Sequence, residues 1–223
     1  MEVRGFVVLG LAVLASVALA RQCRKPTSWP GRLTARLMNS SHRGVTTWGL
    51  SHLRLESGWT ILDVGCGGGA TIQRLLARVP RGKIHGIDYA KASAAVAETV
   101  NAESIAAGRV EIRVASVSNL PFASDSFDLA TAVETHYYWP DLVRDLQEVR
   151  RVLKPSGYVA LIAETYRGQR FGIAERLAMR LLGGVVLRAD EHREVLLRAG
   201  YSKVELFEET QKGWLCALGQ KPA

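Results

Sequence analysis

The segment Ile61-Leu62-Asp63-Val64-Gly65-Cys66-Gly67-Gly68-Gly69 constrains this chain more than any other, because an apolar β-forming run ends near an acid and breaks into glycine. Gly65, Gly67 and Gly69 allow a sharp turn and let the backbone approach a ligand with no Cβ in the way. Beyond them, apolar residues at 72, 75, 76 and 79 recur at helical spacing. A helix is therefore expected from about Ala70, with the unpaired N–H groups of its first turn facing whatever rests on the loop. Strand, glycine loop and helix in this order outline a nucleotide-cofactor site.

Two cofactor classes use that outline. Gly65-x-Gly67-x-x-Ala70 satisfies the G-x-G-x-x-G/A pattern of dinucleotide sites, and Asp88 lies near the distance expected for a ribose-binding acid. Asp63 argues for the other class. Two residues ahead of the first glycine, a carboxylate would repel a pyrophosphate but would suit the ammonium of an amino-acid cofactor or orient the loop amides.

At this point the sequence resembles the class I S-adenosylmethionine-dependent methyltransferases, whose first motif is an apolar strand followed by Asp/Glu-x-Gly-x-Gly-x-Gly. Lys83-Ile84-His85-Gly86-Ile87-Asp88-Tyr89 is similar to the second strand of that family, which ends in the acid that takes both ribose hydroxyls. Leu120-Pro121-Phe122, Ser126-Phe127-Asp128 and Arg151-Val152-Leu153-Lys154-Pro155-Ser156-Gly157 follow in family order, so the likeness runs from about residue 55 to 220. It implies an α/β fold: a Rossmann-like, doubly wound, seven-stranded sheet, mostly parallel, with one antiparallel strand in the edge region and helices on both faces.

The resemblance also implies S-adenosylmethionine as cofactor and assigns roles residue by residue. Asp63, Gly65, Cys66 and Gly67 would form the loop site, Asp88 would take the ribose, Tyr89 would pack on adenine, and Glu134 would contact the cofactor. Where the family usually has Gly-Asp-Ala, this chain has Ala115-Ser116-Val117. Ser116 would then replace the acid that accepts from the adenine amino group, at a loss of about 1 kcal/mol, while the Val117 amide still reads the ring. The strand ending near Val133 should deliver Glu134 to Asp141 to the carboxyl edge of the sheet. There His136 is the candidate general base, since its ordinary pKa lies near neutrality, and Tyr137, Tyr138 and Trp139 are candidates for an aromatic acceptor pocket.

The rest of the chain alternates between the two periods. Helices are expected over 91–107, 141–153 and 190–199, with strands over 110–115, 129–133, 158–163, 203–208 and 214–218. Strands separated by helices imply a parallel sheet, and the last two, joined by a short turn, imply an antiparallel partner at one edge.

Charge divides the chain into parts. The net charge of +8 is concentrated in residues 1–54, where Arg4, Arg21, Arg24, Lys25, Arg32, Arg36, Arg43 and Arg54 face only Glu2; the remainder holds 21 basic and 20 acidic residues. A nucleic-acid enzyme would be expected to place its excess beside the pocket, and Asn/Asp-Pro-Pro-Tyr, which resembles the signature of base amino-methylating enzymes, is absent after Val133. A small-molecule acceptor is expected instead, apolar or membrane-associated. Arg167, Arg170, Arg176 and Arg180, in a segment suited to a lid, would favour an anionic or lipid-like one.

Residues 5–20 are uncharged and mostly apolar, between Arg4 and Arg21. Read as a membrane anchor, the segment would hold the domain on the cytoplasmic side; a signal peptide and a functionless start segment are the competing readings. The expected organisation is thus a hydrophobic segment over 1–25, a helical arm over 26–54 that caps the cofactor through His42 and Trp48, and a catalytic domain over 55–223. Three scattered cysteines fit a reducing compartment, and no Cys/His cluster has ligand spacing, so no metal is expected. A nicotinamide-dependent oxidoreductase and a non-catalytic domain of the same fold remain the alternatives.

Overall fold

The runs over 61–64, 129–133 and 158–163 are apolar on both faces, which requires cover on both sides and favours a parallel sheet flanked by helices. The computed structural model describes residues 27, 31–34, 40–164, 166, 172, 179, 180 and 183–223. It contains strands β1 (Thr60–Val64), β2 (Lys83–Asp88), β3 (Val110–Val114), β4 (Phe127–Val133), β5 (Leu153–Ala163), β6 (Ser202–Glu209) and β7 (Trp214–Gln220). They form one seven-stranded sheet in the order β3-β2-β1-β4-β5-β7-β6. β1 to β5 are parallel, whereas β7 runs antiparallel to both β5 and β6, the geometry that its short link to β6 demands.

The described helices are α1 (Arg43–Ser51), α2 (Ala70–Arg78), α3 (Lys91–Val100), α4 (Ala102–Ala106), α5 (Leu142–Val152) and α6 (Ala189–Arg198). Side-chain alternation sorts the core. Leu62 and Val64 of β1 join Val159 and Leu161 of β5 under α5 and α6, where Leu146, Val149, Val195 and Leu196 pack. Ile61, Ala160 and Ile162 face the other way, toward Val45 and Leu50 of α1 and Ile72 and Leu75 of α2. From β1 the chain winds first toward β3 and then, from β4, in the opposite direction. The crevice between those two windings, at the carboxyl ends of β1 and β4, is where such sheets hold ligands.

Two elements differ from the sequence expectation. The helix expected over 91–107 breaks at Asn101, whose buried Nδ2 donates to the Ala97 carbonyl at 2.9 Å and to the Gly69 carbonyl at 3.2 Å. An amide that satisfies backbone groups across 32 residues overrides local helix propensity. β5 starts at Leu153, ahead of Pro155-Ser156-Gly157 rather than after them. Lys154 reaches Asp128 at 2.7 Å, and the other oxygen of Asp128 accepts from the Thr60 amide at 2.8 Å, so one carboxylate registers β1, β4 and β5 together.

No helix among the described residues is long and apolar enough to cross a membrane. Residues 5–20, the arm positions Leu37 and Met38, and Arg167, Arg170 and Arg176 of the expected lid lie outside the described residues.

Phe127 opens β4, is 1 % exposed and packs edge-on against His85 and Phe122 at ring separations of 5.3 and 4.9 Å. Phe127→Ala is expected to lower the unfolding free energy by about 3–5 kcal/mol, read from urea denaturation. A loss below about 1 kcal/mol would show that the strand is not anchored there.

Candidate functional site

The loop after β1 is held to the end of β2 by backbone. The amides of Gly65 and Cys66 both donate to the Ile87 carbonyl, at 2.8 and 2.9 Å. One residue on, the Gly67 amide donates to Asp88 Oδ2 at 3.0 Å, and Asp88 Oδ1 accepts from the Ala90 amide at 2.8 Å. Burial pushes the Asp88 carboxyl up in pKa, and the two amide donors oppose that shift.

The three glycines serve different purposes. At Gly65 (φ +72°) a Cβ would stand 2.2 Å from Thr135 Oγ1, so the close neighbour is protein rather than ligand. At Gly69 (φ +81°), the left-handed residue before α2, it would meet Asn101 Nδ2 at 2.4 Å. Only at Gly67 (φ +53°) does an added Cβ find nothing within 4 Å, because the space belongs to the cavity that Gly67 lines.

That cavity lies at the carboxyl edge of the sheet. Of the residues expected at the site, Gly65, Cys66, Gly67, Asp88, Tyr89, Ser116, Val117 and Glu134 line it, and so do His42, Tyr138 and Trp139. Thr46, Arg74, Ser93 and Thr135 also line it without having been singled out. For Thr46, Arg74 and Ser93 the signal was weak, since a polar residue in the first turns of an amphipathic helix ordinarily faces water, and Thr135 lies in the irregular segment after β4. Trp48 does not reach the cavity; it packs against His52 and Trp214 at 4.8 and 5.9 Å.

Asp63 is not among the lining residues. It is 1 % exposed, Oδ1 accepts from Thr131 Oγ1 at 2.8 Å, and Oδ2 has no partner among the described residues. Burial raises its pKa to about 7, the Thr131 hydroxyl opposes the rise and Asp88 adds to it. The expected repulsion of a pyrophosphate therefore does not act through contact, and Asp63 supports the loop from beneath.

His136 and Tyr137 do not line the cavity either. Both sit in a 3₁₀ turn, His136–Tyr138, and are 2 and 3 % exposed. His136 Nε2 lies 3.0 Å from Nε2 of His192 on α6, and His192 Nδ1 lies 2.7 Å from the Arg188 carbonyl. A carbonyl only accepts, so His192 carries its proton on Nδ1 and its Nε2 accepts from His136 Nε2–H. His136 Nδ1 is then a buried acceptor with no partner among the described residues. Burial holds the His136 ring well below its usual pKa, and His192 adds to the shift. A proton acceptor needs reach to substrate, which this ring lacks. Tyr137 donates instead to Glu134 Oε1 at 2.8 Å.

Glu134 follows β4 in the left-handed region (φ +57°), a conformation that costs a non-glycine residue on the order of 1–3 kcal/mol and is common at functional sites. Its Oε1 also accepts from the Glu164 amide. Burial and the neighbouring Glu164 carboxyl raise its pKa to about 8, against the pull of both donors. His42 Nε2 lies 3.6 Å from Glu164 Oε1, and ligand atoms of His42, Glu134 and Glu164 fall within 4.8 Å of one another. The expectation of no metal rested on spacing along the chain, and spacing has no view of three residues drawn from three distant segments.

A methyltransferase domain pattern matches residues 62–161. The chain is 27 % identical over 189 residues to the methyltransferase GfsG of Streptomyces halstedii, covering 82 % of this chain and 67 % of that protein. It spans less than half the length of several other curated relatives. A methyltransferase from Aquifex aeolicus described as dependent on S-adenosylmethionine superposes with a TM-score of 0.68 at 21 % identity, over 85 % of this chain and 96 % of that one. A phosphoethanolamine N-methyltransferase of Haemonchus contortus, solved with S-adenosylmethionine, gives 0.69 at 17 % identity, over 81 and 53 %. At these identities the two structures share the fold.

The histidine pair makes stability depend on pH. Both rings are held below the usual 6.5, so below that pH the unfolded chain binds protons that the folded chain does not. Stability is then complete above pH 6.5 and lost beneath it, by up to about 1.4 kcal/mol per proton per pH unit. Urea unfolding at pH 7.5 and 5.5 should show a smaller loss in a His136→Phe/His192→Phe double variant than in the wild type; equal losses would exclude the pair as the source.

Proposed function

We propose that this chain is a class I S-adenosylmethionine-dependent methyltransferase that methylates a small, largely apolar acceptor at the cavity beyond the glycine loop. The residues fit the cofactor on structural grounds. Asp88 stands at the end of β2 with both oxygens fixed by backbone amides, and each oxygen retains a lone pair for one of two adjacent hydroxyls. This fixed carboxylate is the observation that carries the reading. Gly67 leaves cavity space that a side chain would fill, Tyr89 is 43 % exposed along the same wall, and Ser116 and Val117 follow β3 beside it. Glu134, neutral when alone because burial and Glu164 raise its pKa, would ionise beside an ammonium.

When bound, S-adenosylmethionine supplies an electrophilic methyl carbon on a positively charged sulfur. The protein's share is alignment and exclusion of water. The loop amides and Asp88 fix one end of the cavity, while Tyr138, Trp139 and Pro140 enclose another part of its wall with apolar surface. That wall favours an apolar acceptor over a nucleic-acid strand, which would need exposed basic surface. Of the imidazoles among the described residues, His42 lines the cavity, and burial lowers its pKa so that it is neutral near pH 7 and open to a proton. Membrane association through residues 5–20, on the cytoplasmic side, belongs to the same proposal and rests on the sequence.

Titration calorimetry of the full chain with S-adenosylmethionine, S-adenosylhomocysteine and NADH tests this. The two sulfur compounds are expected to bind at micromolar Kd and NADH not at all. Asp88→Ala should weaken both by about tenfold or more, since hydrogen bonds to a charged group contribute about 1.5–3 kcal/mol. Binding of NADH alone would replace the reading with the oxidoreductase one. Gly67→Val should abolish binding of the sulfur compounds, because its side chain would occupy the cavity; retained affinity would place the ligand elsewhere.

A further inference from the structure

Arg74 is the guanidinium that, among the described residues, lines the cavity. It stands one turn into α2, and its NH1 donates to the Ala70 carbonyl of the same helix at 2.8 Å. A guanidinium has five N–H donors in a planar fork, so most remain available. No carboxylate among the described residues pairs with it within 4.0 Å, nor with Arg43 at the start of α1.

The two arginines nonetheless feel each other. Burial lowers the Arg74 pKa, and the Arg43 charge lowers it further. Arg78, one turn on, donates to the Leu50 and Leu53 carbonyls, the latter at 2.8 Å, and so clamps α2 to the end of α1. A partly buried positive charge on a cavity wall favours an anion placed against it. The wall bearing Arg74 is built by α1 and α2, with His42 and Thr46, whereas Asp88, Tyr89, Ser116 and Val117 come from the ends of β2 and β3.

We propose that Arg74 recognises the carboxylate of the methionyl group of S-adenosylmethionine. The inference rests on the cofactor reading above. At neutral pH that carboxylate is the cofactor's anionic group, and its two oxygens match the fork of a guanidinium. Charge recognition at the amino-acid end is thereby moved from Asp63, which the cavity does not reach, to an arginine beyond the loop and to Glu134 after β4.

The test compares S-adenosylmethionine with decarboxylated S-adenosylmethionine, which keeps sulfonium and ammonium but lacks the carboxylate. Affinities are measured by calorimetry on the full chain, for the wild type, Arg74→Gln and Arg74→Lys, with thermal midpoints recorded alongside. The wild type should prefer S-adenosylmethionine by about tenfold or more. Arg74→Gln should lose that preference while binding the decarboxylated compound within about twofold of the wild type and melting at the same temperature. Arg74→Lys, with charge but no fork, should restore part of it. The inference is overturned if Arg74→Gln keeps the preference, or loses affinity for both compounds alike. A wild type that binds both compounds equally also overturns it and leaves the cofactor reading standing, whereas one that binds neither overturns both.

Discussion

The site depends on the attachment of the glycine loop to the end of β2. Two consecutive amides, of Gly65 and Cys66, share the Ile87 carbonyl, and the next, of Gly67, meets the Asp88 carboxylate at 3.0 Å. These bonds turn the chain out of β1 and into α2, which packs back on the sheet through Ile72 and Leu75. They also fix the carboxylate by the cavity before any ligand arrives, so its orientation need not be ordered on binding. Because β1 lies between β2 and β4, the same turn leaves room at the point where the two windings diverge.

Behind this front lies a layer of buried polar groups with no access to ligand. Asp63 holds Thr131 across from β1 to β4, and His136 holds His192 on α6. Each leaves a buried atom with no partner among the described residues, Asp63 Oδ2 and His136 Nδ1. Low dielectric makes such groups costly when charged, which is why the acid rises toward neutrality and the imidazoles stay uncharged. Their task is positional. The histidine pair joins α6 to the turn that carries Tyr138, and Trp139 directly follows that turn.

Most of the fold was legible because its signals are local. Alternation and apolar runs gave the strands, and 3.6-residue spacing gave α2, α5 and α6. Where a long-range bond intervened, local reading failed: Asn101 breaks the expected helix because its amide serves the Gly69 carbonyl, and Lys154 draws β5 back toward Asp128. At the site, glycines and strand-end acids could be read, since loop and edge positions follow from strand boundaries. Which way a side chain turns from an irregular segment could not. His136, Tyr137 and Tyr138 are consecutive, yet only Tyr138 reaches the cavity.

The sequence by itself determined the order of elements, the glycine loop and the acid at the end of β2, because each is written in residues close together and obeys backbone sterics. Tertiary structure alone decided which charges meet. It buried Asp63 beneath the loop, paired His136 with His192, gathered His42, Glu134 and Glu164, and set Arg74 on the cavity wall. These encounters join residues far apart in the chain, and packing fixes them through distances that no spacing along a sequence encodes.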